Sequence, residues 1–182
     1  MKQNNAHIDL DSSAKSDKDD LDLRGVSVHH LANDLLDEVR IKFPDSAENT
    51  KIYQIEDLSN LDENGIIREK GEDTTCPIDG RQGTAYVHTL QGDEHVGPSS
   101  IMLSYTWNYN IGDIIDVLNN YCTNNNLNPK EVYVWICCLC VNQHRVIEKR
   151  RNGEVVPFEE FESVFSKRVT SIGHILAMMA PW

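Results

Sequence analysis

Tyr133-Val134-Trp135-Ile136-Cys137-Cys138-Leu139-Cys140-Val141 is an apolar run of strand length that stops abruptly at Asn142-Gln143-His144-Arg145. A half-exposed edge strand would alternate with polar residues, whereas a run apolar on both faces has the character of a central parallel strand. In open α/β sheets the carboxyl ends of such strands are where ligands sit. The spacing therefore predicts a strand over 133–141 and puts the polar tip at a candidate site.

The flanking segments extend the pattern. Ile101-Met102-Leu103-Ser104-Tyr105 predicts a short strand. Ile111, Ile114, Ile115, Leu118 and Cys122 then recur at helical spacing, with Asp113, Asp116 and Asn119 off the stripe. Asn124-Asn125-Asn126 and Pro129 close that helix. Phe158, Phe161, Val164, Phe165 and Val169 form a second helical stripe, and Ile172 to Met179 a third apolar run. Strand, helix, strand, helix, strand is the signature of a parallel α/β unit over 101–182.

Residues 26–100 are expected to hold a helix followed by an irregular, short-stranded region. Val28, Leu31, Leu35, Val39 and Phe43 share one helical stripe, and Pro44 ends it. His29 and His30 are adjacent and so cannot share a face; they are expected as a solvated pair, not a metal pair. Ile52–Ile55 and Ile66–Glu69 are expected as strands of a hairpin about Asp62-Glu63-Asn64-Gly65. Cys76 to Gly80 is a turn, Ala85 to Leu90 a further short strand, and Gly92-Asp93 and Gly97-Pro98 are breaks. Residues 1–25 are polar and Asp-rich and are expected to be disordered, because they bury too little surface to offset their ordering entropy.

With 182 residues the chain suits one domain, or one domain with an arm. Seventeen basic against 29 acidic residues leave a net charge of −12. That argues against unaided binding to nucleic acid or to an anionic membrane surface, both of which need a basic patch. No apolar stretch approaches the roughly 20 residues that span a bilayer, and residues 1–25 carry no signal-peptide core. Five cysteines, three crowded in one run, do not make a disulfide framework. The expectation is a cytoplasmic protein with reduced thiols.

Leu103-Ser104-Tyr105-Thr106-Trp107, a helix, and then Trp135-Ile136-x-x-Leu139-Cys140-Val141-Asn142-Gln143 resemble the heterokaryon-incompatibility (HET) domain. That family typically shows Leu-Ser-Tyr-Val-Trp-Gly and Trp-Ile-Asp-Ala-Leu-Cys-Ile-Asn-Gln. It is in turn similar to TIR domains, whose sheet is flavodoxin-like. The resemblance covers residues 101–182 and implies the N-terminal half of such a sheet, incomplete at the C-terminus. Two departures stand out: Cys137 replaces the family's Asp, and Asn108 replaces its Gly. In NAD-cleaving TIR domains the catalytic Glu lies on the helix after the third strand. This chain stops before that helix would begin, so no catalytic residue is carried over.

The resemblance implies an intracellular signalling or defence module, with NAD as a ligand or substrate and with self-association or another signalling domain as partner. The residues that would line a nucleotide pocket are Ser104, Tyr105, Thr106, Trp107, Asn142, Gln143 and Arg145. Trp107 either stacks on a base or caps the core, while Tyr105 is expected in the core. Asn142 and Gln143 suit ribose hydroxyls or a carboxamide; alternatively they tie neighbouring loop backbone. Arg145 could bind a diphosphate through paired donors, with a solvated loop the alternative for it and for His144. The cysteines are expected to pack as small hydrophobes, and no metal site is expected, a loose Cys76, His88, His95 and Asp79 set being the weaker thought. Against the NAD reading stands a non-catalytic interaction domain of the same fold, and behind that a cysteine-based redox or zinc sensor. Residues 101–182 alone would end in an exposed apolar edge and are expected to be poorly soluble.

Overall fold

A computed structural model describes residues 20–56, 65–154 and 158–179. Within them one mixed five-stranded sheet organises an α/β fold. Its strands are β1 (Arg24–Ser27), β2 (Val96–Pro98), β3 (Ile101–Ser104), β4 (Tyr133–Trp135) and β5 (Ile175–Ala177), in the order β2-β1-β4-β3-β5. β3 is parallel to both β4 and β5, with Met102 opposite Trp135 on one side and Ile175 on the other. β1 runs against β4 and β2, with Val26 facing Val134 and Val96.

Between β1 and β2 the chain is helical. α1 (Val28–His30) passes through a π-helical stretch (Leu31–Leu35) into α2 (Leu36–Lys42). Ser27 caps the start, its hydroxyl accepting from His30 N at 3.0 Å. Val28, Leu31, Leu35 and Val39 are buried, as their stripe requires, and Phe43 is half-buried beside Pro44. Two short helices follow, α3 (Ile52–Ile55) and α4 (Ile66–Gly71), with 3-10 turns at Ala47–Asn49 and Tyr86–Thr89. After β3 come α5 (Ile111–Asn124), then beyond β4 the single turn α6 (Cys137–Cys140), α7 (Gln143–Arg151) and α8 (Phe158–Ile172). α5 buries Ile111, Ile114, Ile115, Leu118 and Cys122, the five residues of its stripe. Fully burying each large aliphatic contributes roughly 1.5–3 kcal/mol.

Several expectations fail for identifiable reasons. The strand expected over 133–141 ends at Trp135; Ile136 is extended, and Cys137–Cys140 turns as a helix. A run in which every residue is apolar carries no period, so it fits either geometry. His144 and Arg145 lie on α7, not on a loop. Ile52–Ile55 and Ile66–Glu69 are helical, so the hairpin does not form; residues 57–64, its expected turn, lie outside the described residues. Tyr86–Thr89 is a 3-10 turn instead of a strand, and Gly97-Pro98 sits within β2. Pro98 is tolerated there because β2 is an edge strand.

The arm expected to be disordered through Gly25 is ordered at its end. Asp20 to Asp22 is helical and Gly25 lies in β1. The Trp135 indole donates to the Asp22 carbonyl at 3.2 Å, and the Arg168 guanidinium stacks 5.2 Å from the same ring. Residues 1–19 lie outside the described residues. Because β1 and β2 belong to the same sheet as β3, β4 and β5, the sheet does not break at residue 100.

Candidate functional site

β3 and β4 are parallel neighbours, so their carboxyl ends emerge side by side. From β3 come Ser104, Tyr105, Thr106 and Trp107; from β4, by way of Ile136, comes Cys137. The Tyr105 hydroxyl lies 3.4 Å from the Cys137 sulfur and accepts from Cys138 N at 3.4 Å. The Trp107 indole bonds to the same sulfur. Burial pushes the Tyr105 phenol and the Cys137 thiol up, and the bonds from Tyr105 and Trp107 only partly offset this for Cys137. The Cys137 side chain is therefore a protonated thiol at neutral pH.

The loop beyond Trp107 is tied to α3 and the residues before it. Tyr53 N donates to the Trp107 carbonyl at 3.2 Å, and Ile52 N to the Tyr109 carbonyl at 3.2 Å. Lys51 Nζ donates to the Asn108 carbonyl at 2.8 Å, and Ile111 N to the Thr50 carbonyl at 2.9 Å. Ser104 and Thr106 are exposed, whereas Tyr105 and Trp107 are half-buried against the core.

The second half of the expected set is turned inward. Asn142 is the N-cap of α7: its Oδ1 accepts from His144 N at 3.1 Å while its Nδ2 donates to the Gly83 carbonyl at 3.0 Å. Gln143 is buried and donates to the Cys137 and Val141 carbonyls, each at 3.2 Å. Arg145 grips Asp79 through Nε at 2.7 Å and Nη2 at 3.2 Å, and reaches the Gln82 and Gly83 carbonyls. That guanidinium holds the Asp79 carboxyl far below the usual range. His144 is no solvated loop residue: its Nε2 bonds the Arg68 carbonyl at 3.0 Å, and burial pushes its imidazole down. Gly83, at φ +85°, lies so close to the His144 ring that a Cβ would come within 2.9 Å of it.

Five of the seven expected residues therefore form two groups, while Ser104 and Thr106 stay exposed outside them. Tyr105 and Trp107 meet at Cys137, while Asn142 and Arg145 clamp the 79–83 turn; Gln143, through the Cys137 carbonyl, joins the two. A surface concavity of ≈340 Å³ includes Arg145 together with Arg81 and Glu148, away from Trp107. The core holds a small apolar cavity among Leu31, Leu35, Ile136 and Leu139.

All five cysteines are free. Burial pushes Cys140 up to about 12 and Cys138 well above its ordinary value, and such thiols are poor nucleophiles and poor metal ligands. Cys76, His88, His95 and Asp79 do not come together among the described residues. His30 overturns the expected solvated pair, being only 4% exposed. Its Nε2 bonds the Tyr86 hydroxyl at 2.9 Å, and burial is the main cause that pushes the imidazole down to about 4. No signal within a short window could have linked His30 to His95, which lies 65 residues on.

No protein-family model matches the chain, no curated protein matches it, and no solved structure matches its fold. No helix among the described residues is long and apolar enough to cross a membrane.

Proposed function

We propose that this chain is an intracellular signalling module of the TIR/HET type that works by associating with other protein chains and does not turn over NAD. The TIR/HET part rests on the two motifs of the resemblance meeting in space, Tyr105 of the first bonding Cys137 and Cys138 of the second. The order β4-β3-β5, with the first parallel strand in the middle, supports a flavodoxin-like sheet for residues 101–179.

One observation carries the choice of association over nucleotide chemistry. Asn142, Gln143 and Arg145, the residues suited to ribose and phosphate, spend their donors on protein carbonyls and on Asp79. Releasing the buried Gln143 side chain from such bonds costs about 1–3 kcal/mol per group left unpaired. At the edge of the sheet, by contrast, β5 has no further strand beside it among the described residues, with Ile175 44% and Met179 86% exposed. Strand addition to such an edge is a recurring mode of protein recognition.

Sedimentation velocity over a concentration series and an assay for released nicotinamide test this on the full chain. The mass should rise with concentration, Ile175→Lys should lower it, and NAD should leave both the melting temperature and the nicotinamide level unchanged. A monomer at every concentration would refute the association. Nicotinamide release reduced by Trp107→Ala would establish the enzyme instead.

A further inference from the structure

Away from the carboxyl ends of β3 and β4, three ligand atoms converge. His30 closes α1, Asp34 follows one turn later in the π-helical stretch, and His95 stands just before β2. Ser27 pairs with Tyr133 and Val26 with Val96, which sets this cluster at the amino end of β4, opposite Cys137. His30 Nδ1 lies 3.1 Å from His95 Nδ1 and 3.2 Å from Asp34 Oδ2, and His95 Nδ1 lies 3.5 Å from the same carboxylate oxygen. The two rings stand at 89° to one another, so the contact is not a stack.

The outer partners favour one placement of the ring protons. The Tyr86 hydroxyl donates to Glu38 Oε2 at 3.4 Å, so it accepts from His30 Nε2–H at 2.9 Å. His95 Nε2 lies 3.5 Å from Glu94 Oε1, and Glu94 is held by Lys130 at 2.7 Å. In the tautomers that carry each proton on Nε2, toward Tyr86 and Glu94, both Nδ1 atoms present bare lone pairs, and they face an acceptor-only carboxylate. Three lone pairs within 3.5 Å repel one another unless a cation lies among them. Zinc bonds nitrogen and oxygen at about 2.0–2.2 Å, which places two ligands of a tetrahedron about 3.3–3.5 Å apart. The observed separations of 3.1, 3.2 and 3.5 Å bracket that spacing.

We propose that His30, Asp34 and His95 form a binding site for a zinc-class divalent cation, with water in the fourth position. Its donors are imidazole and carboxylate, the set that suits zinc. Oxygen groups on the far nitrogens, Tyr86 for His30 and Glu94 for His95, are the outer shell that such ligands use to fix their tautomers. A π-helical stretch supplies Asp34, and local π geometry inside a helix is frequent at functional sites. Gly92, at φ +86°, makes the turn that delivers His95, whose N–H donates to the Gly92 carbonyl at 3.0 Å. The site does not depend on the TIR/HET reading, and neither stands or falls with the other.

Equilibrium dialysis of the full chain against zinc chloride, followed by metal analysis, tests the proposal. One equivalent should bind, and His95→Ala and Asp34→Asn should each abolish it. Melting in chelator should show that both variants still fold; if His95→Ala does not, Asp34→Asn carries the test, since its carboxylate is 43% exposed. Glu94→Gln should weaken binding about 10–100-fold. Cobalt(II) should give the strong visible bands of a tetrahedral site and no thiolate charge-transfer band. Failure of the wild type to bind zinc would overturn the proposal, leaving a hydrogen bond between the two Nδ1 atoms as the account of the cluster. Stoichiometric binding retained by both variants, a thiolate band, or a weak octahedral spectrum would overturn it equally.

Discussion

Glu56 and Arg68 form an ion pair with both side chains out of water, at 0% and 2% exposure. Arg68 also donates to the Glu56 carbonyl at 3.2 Å, so one guanidinium holds α4 against the residue that ends α3. Charges so placed have lost their hydration, and removing one partner strands the other. Glu56→Leu should therefore cost about 3–5 kcal/mol in urea unfolding, and adding Arg68→Met should recover most of the loss. A cost no larger than that of a surface substitution, about 0.5 kcal/mol, would contradict the pairing. Neither residue stood out in the sequence, where Arg68 belonged to an expected strand and Glu56 had no expected partner. Burial of a charge depends on which elements cover it, and nothing in the residues nearby encodes that. Tyr105 was legible as core for the opposite reason, since a large ring directly after an apolar strand can hardly avoid it.

At the scale of elements, α7 is fastened to the 76–83 turn by Arg145 on Asp79 and by Asn142 on Gly83. Asp79→Asn should lower stability by about 1 kcal/mol, a paired but partly exposed bridge being worth little more, and should speed amide exchange in the turn. Because the folded carboxyl titrates far below the unfolded one, the contribution is present in full above about pH 5 and declines as pH falls below about 4. The gap between wild type and variant should narrow in that acid range; a gap that widened there would contradict the assignment. α5 was legible because its five apolar positions alternate with a polar face at one period only. The run 133–141 was not, since Cys137, Cys138, Leu139 and Cys140 pack equally well in a strand or in a turn of helix. Four-residue patterns such as Ile52–Ile55 are too short to establish any period.

For the whole molecule, the sheet is what the sequence conceals most. β3, β4 and β5 and the helix between the first two follow from local patterns. β1 does not, because Arg24-Gly25-Val26-Ser27 has no alternation and owes its strand geometry to pairing with residues 96–98 and 133–134. The convergence of His30 and His95 is hidden for the same reason, as it depends on that pairing. The candidate region was half legible: the end of β3 was found, with Tyr105 and Trp107 beyond it, whereas β4 ends at Trp135 and a helical turn separates it from Asn142, Gln143 and Arg145. Their partners were not found, and those partners turn a would-be pocket into a closed set of bonds around Cys137 and Gly83. An NMR titration of NAD into the full chain, following the Trp107 indole and Gln143 side-chain amide signals, tests that closure most directly. The account predicts that neither signal moves at any NAD concentration reached. A saturable shift of both would place the nucleotide at the carboxyl ends of β3 and β4 and contradict it.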